Sequence, residues 1–428
     1  MMASLHELTQ YLSEQGPLLL LESQSPKHPW GRSSYIAGKP KAIIKARDRN
    51  ISVEGEGKSI FNENPWKALQ EFRENHSDWL FGYLGYDLKN HTEELYSANN
   101  DPVRAPDLFF MVPEVLVKYH HATGHFEMIK GELPSDMQLR SDNNKPGSLF
   151  NFINLRPQLN SADYILKIKE AQHRIAEGDF YEINLSHQLK ADFKGSAFAL
   201  YQQMKRVGPV PFGSYLDFED IKVCCQSPER FIRKERNTVF SQPIKGTSQR
   251  GENDQEDEQL KRALIESPKE QAENLMIVDL VRNDLSKIAR HGTVEVPKLF
   301  EIESFDTVHQ MVSTVTAEVA VDDPVAILKA CFPMGSMTGA PKISAMEAIE
   351  ELEEYRRGIY SGAVGYIRPN GDFDFNVVIR TAIIKDDKLY YAAGGAITAD
   401  SNPQREWEET LIKTRALQRT IAEEPIKG

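Results

Sequence analysis

Between Gly213 and Phe240 four short runs follow one another: Gly213-Ser214-Tyr215-Leu216-Asp217, Ile221-Lys222-Val223-Cys224-Cys225, Phe231-Ile232-Arg233 and Thr238-Val239-Phe240. β-Branched and aromatic residues recur through them, and only polar turns separate them. Such spacing predicts an antiparallel meander. It ends at Ser241-Gln242-Pro243-Ile244-Lys245-Gly246-Thr247-Ser248, where a single lysine stands between a proline and a glycine. Pro243 fixes its own φ and offers no donor, while Gly246 lets a backbone approach a ligand closely. Taken alone, Lys245 has two readings. It is a solvated lysine in a turn, or an amine at a site wall, where desolvation lowers its pKa and frees it as a nucleophile.

Upstream, residues 1–130 alternate strand-like runs with turns, as in a β-rich region. Residues 17–23 read as a buried strand, 42–45 and 51–53 flank a polar turn, and 106–130 form a hairpin turning near His120 to Gly124. The aromatic, glycine-punctuated stretch 79–86 marks a place where backbones pack closely. Residues 131–160 are polar and lack periodicity, and read as a linker. Beyond them, helices are expected from Ser161 to about Glu177, from Ser267 to about Arg290, from Pro341 to near Gly358, and from Pro403 to about Ala422. The boundaries come from Ser, Asn and Pro at the starts and Gly at the ends. A three-strand run with turns at 369–372 and 385–388 lies between the last two helices.

The chain has 428 residues, with 63 acidic against 51 basic side chains and a net charge of −12. That balance argues against nucleic acid and against an anionic membrane as partners. It leaves room for a small anionic substrate held by a local cluster of donors. The three cysteines, two of them adjacent at 224 and 225, give neither a disulfide framework nor metal-ligand spacing, so a reducing compartment is expected. The first residues carry no basic and apolar signal pattern, and no apolar run approaches the ~20 residues of a membrane span. A soluble, cytoplasmic protein is expected.

Several groups carry candidate chemistry. Glu270 and Glu273 are three apart on the expected long helix, and Glu406, Glu409 and Lys413 share a face of the last one. Two glutamate pairs can hold one Mg²⁺, which takes a few carboxylates and keeps positions for water or substrate oxygens. The plainer alternatives are a capping box from Ser267 to Glu270 and a solvated helix face. Ser336-Met-Thr338-Gly339-Ala-Pro341 offers amides and a hydroxyl at a positive helix end, suited to a carboxylate, or is simply a turn. Gly394-Gly395-Ala396 brings further backbone donors, or another turn. Arg380, among β-branched residues, is either paired in the core or waiting for a carboxylate. His309 is a satisfied core histidine or a catalytic one, and Glu229 an ordinary hairpin charge or an acid.

Taken together these motifs resemble the chorismate-utilising enzymes, the family of anthranilate synthase component I and aminodeoxychorismate synthase component I. The stretches that carry the resemblance are 178–186, 227–229, Pro243-Ile-Lys-Gly-Thr247, 272–285, 303–309, 333–342, 360–366, 379–381, 394–397 and Glu406, Glu409 and Lys413. They run through residues 161–420 as a catalytic domain, with a looser match over 1–130. The fold this implies is α+β: two packed antiparallel sheets at the centre and helices outside, with strands from both chain halves.

Lysine in Pro-Ile-Lys-Gly-Thr is typical of the aminodeoxychorismate branch, where anthranilate synthases typically carry alanine. The resemblance implies that Lys245 adds to the chorismate ring as the 4-hydroxyl leaves and that ammonia then expels it. Glu229 and Glu270 are the candidates for acid–base work, with His309 beside the ring. Glu273, Glu409 and Glu406 are implied Mg²⁺ ligands. Tyr360, Arg380, Gly394, Gly395 and Ala396 would hold one carboxylate, and Gly246, Thr247, Thr338, Gly339 and Lys413 line the site. Glu182 stands where aminating relatives usually carry Gln; a carboxylate there does not activate water as an amine does, but can bind ammonium. Glu270 stands where many of them have Asp. Leu21, Glu22, Ser23, Pro211 and Phe212 resemble the family's tryptophan-binding segments, or are ordinary strand packing. A separate glutamine amidotransferase subunit is the implied ammonia source. Two other identities compete: an anthranilate synthase component I, which Lys245 argues against, and a non-catalytic tryptophan- or chorismate-binding regulator, which the intact acidic pairs argue against.

Overall fold

The protein is seen as a computed structural model that describes residues 5–25, 31–55, 58–133, 149–305 and 308–422. One long ladder organises it. Strand Ser33–Arg47 pairs with Leu108–His120 along nearly its whole length, broken between Pro40 and Ala42. There Pro40 has no donor for the ladder, and Lys39 takes a positive φ of 48°. On one side of the break the ladder extends through Leu18–Glu22, Phe212–Phe218, Ile221–Ser227, Thr381–Lys385, Lys388–Ile397 and Glu182–Gly195. On the other it extends through Leu80–Leu84, Ala363–Ile367, Phe373–Val377, Arg230–Glu235, Thr238–Gln242 and Val308–Glu318. These pairings are antiparallel. The two halves pack face to face, and Leu19, Phe81, Phe109, Leu216, Val223 and Ile383 share the core between them.

Helices cover the outer faces. Pro65–His76, Pro268–Ser286 and Pro324–Cys331 bury Trp66, Phe72, Ile277 and Leu328 against one sheet. Leu5–Ser13, Ala197–Val207 and Pro403–Ala422 bury Leu8, Leu200 and Leu417 against the other. This is the expected α+β architecture. No described helix is long and apolar enough to cross a membrane.

The expected meander is divided. Phe212–Phe218 pairs with Ile221–Ser227, and Arg230–Glu235 with Thr238–Gln242, but the two hairpins lie in different sheets. Between them stand Pro228, which cannot donate to a ladder, and Glu229, buried at the crossover. The expected linker is partly structured: Phe150–Pro157 is a strand on Glu182–Gly195, while residues 134–148 lie outside the described residues. Nor do residues 1–130 and 161–420 separate in space. Leu18–Glu22 lies between Ser33–Arg47 and Phe212–Phe218, and Leu80–Leu84 pairs with Ala363–Ile367.

The expected helices are present; Ser161–Glu177 and Pro403–Ala422 end where expected, and the other two end early. Pro268–Ser286 starts under the Ser267 cap but stops four residues before Arg290. The helix after Pro341 ends at Leu352 because Glu353 turns extended to meet a buried arginine. Asn160, not Ser161, caps Ser161–Glu177: its side chain accepts from the Asp163 amide. The run 376–381 is no single strand, for Arg380 takes φ 51° and breaks it.

Candidate active site

Strand Ile244–Gln249 follows Pro243 and lies on Val308–Glu318, with a register irregularity between Ile244 and Thr247. A bulge of that kind re-aims side chains. Lys245 sits in it, next to Gly246 at φ 91°. A methyl group on Gly246 would stand 2.9 Å from Glu270 Oε2, so glycine lets the strand pass the first turn of helix Pro268–Ser286. Lys245 turns inward and its Nζ donates to Glu182 Oε1 at 2.8 Å. The second Glu182 oxygen, Oε2, is buried without a partner. Burial alone would lower the lysine pKa, but Glu182, Glu273 and Glu229 outweigh it and hold Lys245 above its ordinary value. The sequence expectation of an amine freed by desolvation is therefore corrected: in this structure Lys245 is an ammonium, held so by the acids around it.

Glu229 is buried at the sheet crossover, its amide donating to Ser227 Oγ at 3.2 Å. Burial pushes its pKa up to about 7, opposed by the nearby Ser336 hydroxyl, the Lys245 ammonium, the Ile244 amide and Arg380. A carboxyl group there can carry a proton at neutral pH and give it away.

The turn 336–341 forms a wall but not an open carboxylate pocket. Gly339 and Ala340 pair with Ile183 and Glu182. The Thr338 hydroxyl donates to its own turn, toward the Gly335 carbonyl at 3.2 Å and the Met334 carbonyl at 3.4 Å. Its main-chain carbonyl accepts from the Asn184 amide. The turn thus fixes the start of strand Glu182–Gly195, and with it Glu182.

An open notch lies where strand Thr381–Lys385 begins. Lys388–Ile397 pairs with it as far as Tyr391, then continues with Gly394, Gly395 and Ala396 on Ser186, Leu185 and Asn184 alone. One edge of that glycine stretch therefore carries no strand. Arg380 stands at this end, and its guanidinium has no hydrogen-bond acceptor in reach among the described residues. Burial lowers its pKa, against the pull of Tyr391 and Glu229. Tyr360 is buried nearby, its hydroxyl pushed up to about 12 by burial. Lys413 Nζ donates to the Gly394 carbonyl at 2.8 Å and pairs with Glu409 Oε1 at 2.7 Å.

Four glutamates from two helices lie around one lysine. A methyl group on Gly395 would stand 3.3 Å from Glu406 Oε2 and 3.9 Å from Glu409 Oε1. From the other helix Lys269 reaches Glu273 at 3.6 Å. Burial opposes the Lys269 charge, but Glu273, Glu406, Glu270 and Glu409 together raise its pKa, so both acidic pairs act on one cation. Burial also raises Glu273 and Glu406. Among the described residues no three acidic, histidine or cysteine side chains converge on a single point. The donors are all carboxylate oxygens, the kind a hard divalent cation takes.

His309 is fully buried and held at both ring nitrogens. Nδ1 lies 2.8 Å from Ser304 Oγ, and Nε2 lies 2.8 Å from Asp257 Oδ1. The Arg250 guanidinium grips Asp257 in turn and holds its carboxyl far below the usual range. The structure therefore does not bring the His309 ring into hydrogen-bond contact with Lys245, Glu182 or Glu229. One buried pair went unread in the sequence: Arg357 meets Glu353 at 2.6 Å and donates to the Met337 and Asn184 carbonyls. Glu353 also accepts from Ser186. Its only signal was an i,i+4 Glu–Arg spacing, which solvated helix faces show equally well.

A second cavity of about 490 Å³ lies between the sheets. Leu21, Glu22, Ser23, Pro211 and Phe212 all line it, beside Arg368. Glu22 accepts from Lys205 Nζ at 2.6 Å and from the Tyr201 hydroxyl at 2.7 Å.

With this geometry in place, likeness to known proteins is informative. Residues 17–419 match the sequence model of a chorismate binding enzyme. The chain is 35% identical to anthranilate synthase component 1 of Aquifex aeolicus, over 96% of this chain and 90% of that one. It is 47% identical to aminodeoxychorismate synthase of Streptomyces griseus, over 60% of this chain and 36% of that one. The chain thus spans about a third of that longer relative and most of the first. The crystal structure of anthranilate synthase component I from Streptococcus pneumoniae superposes with a TM-score of 0.80 at 29% identity, covering 91% of this chain and 92% of the other.

Proposed function

This chain belongs to the chorismate binding enzyme family, and we propose that it aminates chorismate at C4 to give 4-amino-4-deoxychorismate, a precursor of 4-aminobenzoate and folate. A separate glutamine amidotransferase subunit delivers the ammonia. The observation that carries this reading is Lys245: a primary amine directed into a buried acidic site, with a carboxyl group of pKa about 7 at Glu229 in the same site. Arg380, Tyr360 and the open edge of Gly394 to Ala396 hold one substrate carboxylate. Glu229 gives its proton to the departing 4-hydroxyl while the Lys245 amine adds at C2. Ammonia then adds at C4 and expels the lysine. Glu273, Glu409 and Glu406 would hold Mg²⁺, the last directly or through water, and the cation would supply positive charge for the other substrate carboxylate.

A second reading is anthranilate synthase component I, favoured by the near full-length match to the Aquifex aeolicus enzyme. Product analysis by mass spectrometry separates the two, with chorismate, Mg²⁺ and ammonium supplied to wild type and to Lys245→Ala. Aminodeoxychorismate from wild type, lost in the variant, is the expected result. Anthranilate from both would overturn it. The second cavity is proposed to take tryptophan, because the segments that resemble the family's tryptophan site all line it. Calorimetric titration with L-tryptophan tests this, and no heat at millimolar ligand would sink it.

A further inference from the structure

Glu182 is, among the described residues, the only acceptor within hydrogen-bond reach of the Lys245 amine. Its place is built. Gly339 and Ala340 pair with Ile183 and Glu182, and a side chain at 339 would run into the Glu182 carbonyl at 2.1 Å. The Glu182 side chain is 1% exposed, with Oε1 on Nζ and Oε2 buried and unpartnered. Other charges act on the pair without a hydrogen bond to Nζ: Glu229 at the sheet crossover, Glu273 on helix Pro268–Ser286, itself flanked by Lys269 and Glu270, and Glu409 on the last helix. Arg380 lies beyond Glu229.

We infer that Glu182 is an acid–base residue in its own right: it takes the ammonium proton of Lys245 to release the amine, and returns that proton when the lysine is expelled. This rests on the amination proposed above. A glutamine at this position would orient Lys245 through its amide oxygen but has nowhere to put a proton, so the role belongs to the carboxylate. The trigger is substrate itself, which excludes water from a buried ion pair and so favours its neutral form.

The protons balance. Lys245-NH₃⁺ passes one to Glu182, leaving a neutral amine and a carboxylic acid. The amine forms the C2–N bond, both ring double bonds shift (C1=C2 to C1=C6, and C5=C6 to C4=C5), and the C4–O bond breaks. Glu229 protonates the departing hydroxide to water, and the lysine remains attached as a secondary ammonium. Ammonium then gives a proton to Glu229, ammonia forms the C4–N bond, and the C2–N bond breaks toward Lys245. Glu182 returns its proton to the freed amine. The sum is chorismate plus ammonium to the protonated amine plus water, with every enzyme group restored.

The test compares wild type, Glu182→Gln and Glu182→Asp with saturating ammonium across pH 6.5 to 9.5. Chorismate affinity, measured by fluorescence titration, should stay within about twofold, because the pair is not part of the proposed carboxylate notch. For Glu182→Gln the turnover should fall about a hundredfold or more at pH 7. The ratio of wild-type to variant rate should then shrink about tenfold per pH unit, as solvent deprotonates the lysine in place of Glu182. Glu182→Asp keeps a base and should hold a nearly pH-independent ratio. With ammonium withheld, intact-mass spectra should show the lysine adduct in wild type at pH 7, but in Glu182→Gln only at alkaline pH. A Glu182→Gln rate equal to wild type, or a ratio that does not move with pH, overturns the role of Glu182. Amination retained by Lys245→Ala overturns instead the chemistry on which it rests.

Discussion

Two Lys–Glu pairs have buried carboxylates, Glu22 beside the second cavity and Glu182 in the candidate active site, and they differ in one atom. In the second cavity Glu22 spends both oxygens, one on Lys205 and one on Tyr201. In the site, Glu182 spends one on Lys245 and leaves the other bare. A fully satisfied buried carboxylate is scaffold: its charge is balanced and its geometry over-determined. A half-satisfied one keeps capacity for a proton or a further donor. The same distinction marks Glu353, whose oxygens are taken by Arg357 and Ser186. Composition cannot tell these glutamates apart; only their bonding does.

The sharpest break in the comparison is to remove each lysine. On the proposed mechanism Lys245→Met should lower amination by about a thousandfold or more, since it deletes the proposed nucleophile rather than a contact. Thermal unfolding should change far less than activity. If turnover survives, the half-satisfied pair is structural and the contrast fails. Next in size is the saturated pair Arg357–Glu353. Arg357→Met leaves Glu353 buried and charged, and breaking such a pair costs about 3–5 kcal/mol. Denaturant titration should register it, whereas a loss under 1 kcal/mol would show the pair to be dispensable.

The pH dependence is smaller but specific. In the proposed amination Glu229 must carry a proton to assist hydroxide departure, and burial raises its pKa to about 7. Turnover should therefore fall about tenfold per unit above pH 7, and Glu229→Gln should abolish that limb along with most activity. Stability follows the same sign. The folded chain holds this proton more tightly than the unfolded one, so the stabilisation is complete below the ordinary carboxyl value. It is lost as pH rises through about 7. A profile flat from pH 6 to 9 would remove Glu229 as the acid.

The sequence made most of the elements legible, and with them candidates such as Glu229 and Glu273 that the fold gathers near Lys245, because each element leaves a local mark: Ser267 and Pro268 at a helix start, Gly246 at a bulge, Asn402 and Pro403 at another start. What it could not reveal was long-range partnership. The split of the meander between two sheets depends on which strand meets Ile221–Ser227, and that partner, Thr381–Lys385, is more than 150 residues away. The direction of the Lys245 pKa is hidden for the same reason. Desolvation is legible from a hydrophobic setting, but the opposing charges come from Glu182, Glu229 and Glu273, on three separate segments. His309 within its strand reads more readily as a satisfied core histidine than as a catalyst, but its partners, Ser304 and Asp257, are set by the fold.

The mildest perturbation tests the comparison from its quiet side. Lys205 lies on helix Ala197–Val207 and is about a third exposed, so water screens its bond to Glu22. Lys205→Met leaves Glu22 with Tyr201 alone, a loss on the order of 1 kcal/mol, since one partner remains and solvent can reach the vacated side. Turnover at saturating substrates should match wild type. If this variant instead slows the proposed amination severalfold with its fold intact, that cavity and the candidate active site are coupled, and the saturated pair is part of a regulatory linkage rather than inert support.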